Sequence, residues 1–147
     1  MAEPSVQRLT GTPIILNFPE ESTTQTFLEG DLVKLTTSGT IEIAAAGTIL
    51  GVAQRKATGV ANTLIPVDII DYHNLYSAPL PAGTTAAQTI VGDELTFVFT
   101  ATAVTLSTTG TDAVVMAMDP RSLSGGAGVA GGRMIFRFEA NLSDTPT

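Results

Sequence analysis

Residues 27–54, FLEGDLVKLTTSGTIEIAAAGTILGVAQ, read as three short strands and two turns. Leu28, Leu32, Val33, Leu35, Ile41, Ile43, Ile49, Leu50 and Val52 fall in runs of strand length, separated by Gly30-Asp31, Ser38-Gly39 and Gly47. Glycine at those points takes a positive φ at little cost, and the aliphatic runs suit a pleated surface. Such runs need a layer to pack against. A second copy, GDELTFVFTATAVTLSTTGTDAVVMAMD at residues 92–119, supplies a candidate. At a separation of 63 residues (95 minus 32), Leu32 meets Leu95, Ile41 meets Val104, Ile43 meets Leu106, Gly47 meets Gly110 and Val52 meets Val115. Gly30-Asp31 meets Gly92-Asp93 at 62, which implies one inserted residue, Glu94. One motif used twice makes two halves of a single small β domain. The competing reading is a chance alignment of strands rich in Thr, Ala and Gly.

At 147 residues the chain is long enough for one domain that buries about two-thirds of its unfolded surface. It has no cysteine, so disulfides and thiolate metal sites are excluded. Hydrophobic residues make up 44% but aromatics only 5%, so the expected core is Val, Ile, Leu and Ala. A net charge of −7 argues against direct nucleic-acid binding, which needs Lys and Arg to neutralise phosphates. The N-terminus lacks a basic segment followed by an apolar one, and no run approaches 18 apolar residues. Neither a signal peptide nor a membrane span is expected, and the product should be made in the cytoplasm. Sparse charge with a mean hydropathy of +0.30 suits a protein that works inside an assembly.

Residues 1–26 carry Pro4, Pro13 and Pro19 around the apolar cluster Ile14-Ile15-Leu16-Asn17-Phe18, and read as an extended arm. The cluster either folds back as an edge strand of its own domain or docks on a neighbouring subunit, which makes Ile14, Ile15, Leu16 and Phe18 candidate contact residues. Arg55-Lys56 and the Gly-containing segment after it read as a solvated turn. Residues 64–72, LIPVDIIDY, read as the next strand, with Pro66 at its start or on an edge. Period two would put Asp71 and His73 on one face, where the pair could hold a metal or orient an imidazole. A metal would need further ligands, and His73 is the one histidine. Residues 77–89 form a loop or a single helical turn. In the second copy Leu95, Phe97 and Phe99 alternate with Thr96, Val98 and Thr100, as in a half-buried antiparallel strand.

Residues 122–132, SLSGGAGVAGG, contain a formal G-x-G-x-x-G at 126–131. A dinucleotide site needs a helix to follow, with its N-terminus on the pyrophosphate, and here a strand pattern follows instead. The segment reads as a loop ordered by a partner, with Gly125, Gly126, Gly128 and Val129 as candidate contacts. In the last strand Met134, Phe136 and Phe138 form the core face, and Arg133, Arg137 and Glu139 a solvated one. Residues 141–147 are a polar tail. The single imidazole has no nucleophile placed for it, Asp31 and Asp93 are better explained as turn residues, and there is no P-loop or zinc pattern. Neither an enzyme nor a bound cofactor is expected.

The expected fold is therefore all-β and mainly antiparallel. It is a compact barrel-like single domain over 27–140, with an extended arm and at most one short helix. The segments Phe27-Leu28-Glu29-Gly30-Asp31-Leu32-Val33, Gly39-Thr40-Ile41 and Ile49-Leu50-Gly51-Val52-Ala53 resemble the small head decoration, or cement, proteins of tailed bacteriophages. The resemblance covers about residues 27–119 and implies a β-tulip-like fold. It also implies a virion protein, commonly a homotrimer, on the outer capsid surface, clamping neighbouring major capsid subunits of the expanded head. In that family a terminal arm often reaches the shell or the next subunit, which here would be the Ile14 to Phe18 cluster. A different class remains open: a tail, fibre or surface-binding module that recognises a host or virion partner through the 122–132 loop.

Overall fold

The structure, a computed structural model, describes residues 6–22, 24–44, 48–80, 90–99, 104–110, 112–119 and 132–139. Among the described residues eleven strands run in the order β1 (Gln7–Arg8), β2 (Ile15–Pro19), β3 (Leu32–Leu35), β4 (Ile41–Ile43), β5 (Gly51–Ala53), β6 (Leu64–Ile69), β7 (Tyr76–Pro79), β8 (Glu94–Phe99), β9 (Val104–Thr109), β10 (Ala113–Met118) and β11 (Arg133–Phe138). They form two antiparallel sheets, and no α-helix occurs among the described residues. The all-β antiparallel expectation holds.

The two sheets repeat one plan. The first has the order β2-β6-β5-β3-β4 and the second β1-β7-β11-β10-β8-β9. Apart from β1, each strand of the second sheet has its counterpart at the same place in the first, so the duplication extends beyond residues 27–54 and 92–119 to match β2 with β7 and β6 with β11. The shared turn is built identically. Asp31 N–H donates to Leu28 O and Asp93 N–H to Ile90 O, with Gly30 and Gly92 at φ 90° and 94°. This is the position of a tight turn where a positive φ favours glycine.

The register of the repeat corrects the sequence alignment. Gly30 N–H donates to Ala53 O and Ala53 N–H to Asp31 O, while Gly92 N–H donates to Val115 O and Val115 N–H to Asp93 O. Equivalent residues are thus 62 apart (92 minus 30, 115 minus 53) through both strands. Glu94 is not an insertion: Val33 pairs with Gly51 as Leu95 pairs with Ala113, so Glu94 takes the place of Leu32. Leu32 and Val33 are both apolar, so the run itself does not fix which of them faces in. The extra residues lie in the hairpin. Ala44 N–H donates to Leu32 O and Gly110 N–H to Glu94 O, spans of 12 and 16 residues (44 minus 32, 110 minus 94). The following connection is shortened to match, because Leu50 N–H donates to Val33 O and Asp112 N–H to Leu95 O.

Two cores result. Inside the first sheet lie Phe27, Val33, Ile41, Leu50, Ala53, Ile65 and Val67, with Phe18 and Leu35 packed on them. The larger core joins Tyr76, Phe97, Leu106, Met134, Phe136 and Phe138 of the second sheet to Leu32, Ile49, Val52 and Ile70 of the first. Leu32 is therefore fully buried, whereas Glu94, its counterpart on the far side of the second sheet, is exposed. The expected core of Val, Ile, Leu and Ala describes the first half apart from Phe27 and Phe18. The few aromatics are concentrated in the second, where Tyr76 lies edge-on to Phe138 at 4.8 Å and Phe136 edge-on to Phe138 at 5.0 Å between ring centroids. Such pairs add about 0.5–1.5 kcal/mol each beyond their burial.

The segment before residue 27 contributes one strand to each sheet: β1 pairs β7, and β2 pairs β6 along its length. Pro66 stands inside β6, a central strand, and not at its start. Its carbonyl accepts from Gln54 N–H just past the end of β5, and only the return bond to Gln54 O is left unmade.

Candidate functional site

β2 is an edge strand of the first sheet. Its hydrogen bonds alternate. Ile69 N–H donates to Ile14 O and Glu20 N–H to Thr63 O, which puts the backbone groups of residues 14, 16, 18 and 20 towards β6. The N–H and C=O of Ile15 and Asn17 consequently point outward. Pro13 and Pro19 bracket them, and at Glu20 the outer side is taken by a parallel bridge to Ile41 of β4. The open window is short and bounded at both ends.

The side chains along it are apolar. Ile14, Ile15 and Leu16 are 62%, 48% and 51% exposed, whereas Phe18 is half-buried against the first core. No charged residue occurs from Leu9 to Pro19. Sheet edges are normally blunted by charge, twist or a covering segment, so this uncharged apolar edge is the candidate contact surface.

The far end of β2 is held firmly. Glu20 is fully buried, and its carboxylate accepts from Thr58 N–H at 3.0 Å, Thr58 Oγ1 at 2.5 Å and Gly59 N–H at 3.1 Å. β1 is anchored across the two halves. The Arg8 guanidinium donates to both oxygens of Asp68, at 2.8 and 2.9 Å, and lies 5.0 Å from the Tyr76 ring centroid. The bond to Asp68 raises the Arg8 pKa further above its ordinary value. A cleft of about 380 Å³ opens beside this pair, lined by Val6, Leu9, Pro13, Gly30 and Val52 among others.

The other sequence candidates are placed differently. β6 ends at Ile69, and residues 71–74 form a turn in which the Asp71 carboxylate accepts from His73 N–H at 2.9 Å and Asn74 Nδ2 at 2.6 Å. Asp71 and His73 are thus not strand neighbours; the aspartate closes a turn, as Asp does by accepting a backbone N–H two residues on. The bond from His73 N–H lowers the Asp71 pKa below the usual carboxylate range. No group of three or more His, Cys, Asp or Glu able to hold a metal occurs among the described residues.

Arg133 does not share a solvated face with Arg137 and Glu139. It is buried, donating from Nε to Ser77 Oγ at 3.0 Å and from Nη2 to Ser77 O at 3.0 Å, while Ser77 Oγ donates to Asp119 at 2.5 Å. β7 and the end of β10 cover that end of the strand. The loop candidates Gly125, Gly126, Gly128 and Val129 lie outside the described residues.

Sequence reasoning found the β2 cluster through its prolines and apolar run. It missed Glu20 and the Arg8–Asp68 pair. Glu20 opens a polar run and carries no local mark of burial, and Arg8 and Asp68 are brought together only by the fold. Comparison with protein-family models, with curated proteins and with solved structures finds no match.

Proposed function

We propose that this protein is a structural decoration, or cement, protein of a tailed-phage head, acting by non-covalent binding on the outer surface of the expanded shell. One observation carries the reading: the bounded, uncharged, apolar edge of β2 with the outward backbone groups of Ile15 and Asn17. An edge of this kind binds by strand addition, in which main-chain bonds supply affinity and the flanking side chains supply fit. Each such contact is small. Repeated by symmetry over a shell it becomes strong through effective concentration, as a cement needs. The resemblance of the strand-and-turn pattern at residues 27–54 points the same way, and implies major capsid subunits as partners and trimers as the unit that binds.

Co-sedimentation with expanded, decoration-free heads and, separately, with unexpanded procapsids tests the reading. Saturable binding to expanded heads is expected, weakened on the order of tenfold by Ile15→Lys, which puts a desolvation cost and a charge on the edge. Absence of binding to either particle would overturn it, and adsorption to host cells instead would favour a tail or fibre module.

A further inference from the structure

We infer that the partner of the β2 edge is the β2 edge of a second copy, paired antiparallel about a two-fold axis through Leu16. The inference rests on the proposed role of β2 as a strand acceptor and names its occupant.

The internal duplication shows what this edge position does. Leu80 N–H donates to Gly132 O as Glu20 N–H donates to Thr63 O, so β7 is the counterpart of β2, with Pro79 in place of Pro19, Ser77 of Asn17 and Leu75 of Ile15. The outer side of β7 is occupied. β1 lies along it with Gln7 opposite Ser77, Leu9 N–H donates to Leu75 O, and Thr10 Oγ1 accepts from Leu75 N–H. The same window on β2 has no strand from the described residues on it.

The window is complementary to itself. Reading Pro13-Ile14-Ile15-Leu16-Asn17-Phe18-Pro19 outward from Leu16, hydrogen-bonding residues stand one step away on each side, apolar residues two steps away and prolines three. A second copy turned about Leu16 therefore sets Ile15 opposite Asn17 and Asn17 opposite Ile15, which satisfies all four outward groups. The prolines fall opposite one another, where neither has an N–H to leave unpaired. Ile14 faces Phe18 and Leu16 faces Leu16 over the first core. With no charge from Leu9 to Pro19, self-pairing meets no like-charge repulsion. The two five-stranded sheets become one continuous sheet across the axis.

The paired window is only about 24 Å long at 3.4 Å per residue. It buries less than the roughly 1,200 Å² at which stable interfaces begin, so the contact is weak in dilute solution. A two-fold contact cannot close a ring of three, so on a shell it joins a copy in one cluster to a copy in the next.

The chain has no cysteine, which makes covalent trapping clean. Opposed residues 16 and 16 form a non-hydrogen-bonded pair, whose spacing admits a disulfide. Under mild oxidation Leu16→Cys should give a disulfide dimer on the order of tenfold faster than Val60→Cys, an exposed control position. Ile14→Cys and Phe18→Cys should cross-link when mixed and not when alone. Asn17→Pro, which removes an outward N–H and no bond to β6, should suppress the Leu16→Cys dimer. Cross-linking of Leu16→Cys no faster than the control overturns self-pairing. If Ile15→Lys nonetheless lowers head binding, the edge takes a strand of the shell and the decoration reading stands. Rapid cross-linking without head binding keeps self-pairing and removes the decoration reading.

Discussion

Arg8 and Asp68 form a bidentate ion pair across the two halves of the molecule, Nε to Oδ2 at 2.8 Å and Nη2 to Oδ1 at 2.9 Å, with both side chains largely buried. Arg8 belongs to β1 on the second sheet and Asp68 to β6 in the first. A third bond, from Nη2 to Ile69 O at 3.2 Å, completes the fork. The pair fastens β1, the strand that covers the β7 edge, to the sheet whose own β2 edge carries no strand from the described residues.

Removing one member leaves a buried charge without its partner, so Arg8→Ala should destabilise by about 3–5 kcal/mol. Arg8→Lys keeps the charge and loses the planar fork, and should fall between wild type and Arg8→Ala. A double variant, Arg8→Met with Asp68→Leu, should lose less than Arg8→Ala, because no charge is stranded. Urea unfolding of the four proteins measures this. A loss under about 1 kcal/mol in Arg8→Ala would mean the pair behaves as a surface one.

Tyr76 gives the alkaline limit of stability. Burial pushes its phenol up to about 12, against the donation of Asp71 N–H to its oxygen at 3.0 Å, which favours the ionised form. Unfolded, the phenol ionises near 10. Between these values the folded chain keeps a proton that the unfolded chain gives up, so the stabilisation is complete below about 10 and is lost as pH rises towards 12, a change of roughly 2–3 kcal/mol. Unfolding midpoints at pH 8, 10 and 11.5 should fall accordingly. Tyr76→Phe should be destabilised by about 1 kcal/mol at neutral pH and show a flatter alkaline fall. An equal alkaline fall in both proteins would refute the assignment.

Much of this architecture is legible locally. Gly30-Asp31 and Gly92-Asp93 announce the shared turn because a positive φ there favours glycine, and Pro13 and Pro19 announce an edge strand because neither can donate outward. Phase is not legible where both faces are apolar: Leu32 and Val33 are both buried, one by the other half of the molecule and one by its own sheet. Arg133 shows the converse, since alternation put it on a solvated face and the fold covers that face with Ser77 and Asp119. Arg8 and Asp68, 60 residues apart, leave no trace in the local pattern of either.

Glu20 fixes the end of the β2 window. Its carboxylate serves three donors from Thr58 and Gly59, so Glu20→Gln, with the same shape and one oxygen replaced by a donor, should cost about 2 kcal/mol. The loss should be local. Amide exchange at Thr58 and Gly59 should quicken well before that of the β10–β11 ladder. Uniform quickening across both sheets would show that the carboxylate supports the whole fold rather than this corner.

Gly51 and Ala113 hold equivalent positions, opposite Ile69 and Phe138, yet only one has room for a methyl group. A Cβ on Gly51 would stand 2.3 Å from Asp68 O and 2.7 Å from Val67 Cγ1, where β5 closes on β6. Two effects oppose each other in Gly51→Ala. The less mobile unfolded chain contributes about 0.4–1 kcal/mol of stability, whereas overpacking against backbone costs about 1–3 kcal/mol. The contact is with a carbonyl in a paired strand, which cannot move aside as a side-chain tip can, so the second effect should win. Gly51→Ala should therefore lower the unfolding midpoint, and its β5 and β6 amides should exchange faster. An unchanged or raised midpoint would show that β5 can shift away from β6 without loss, and that the tight approach at Asp68 is not what selects glycine there.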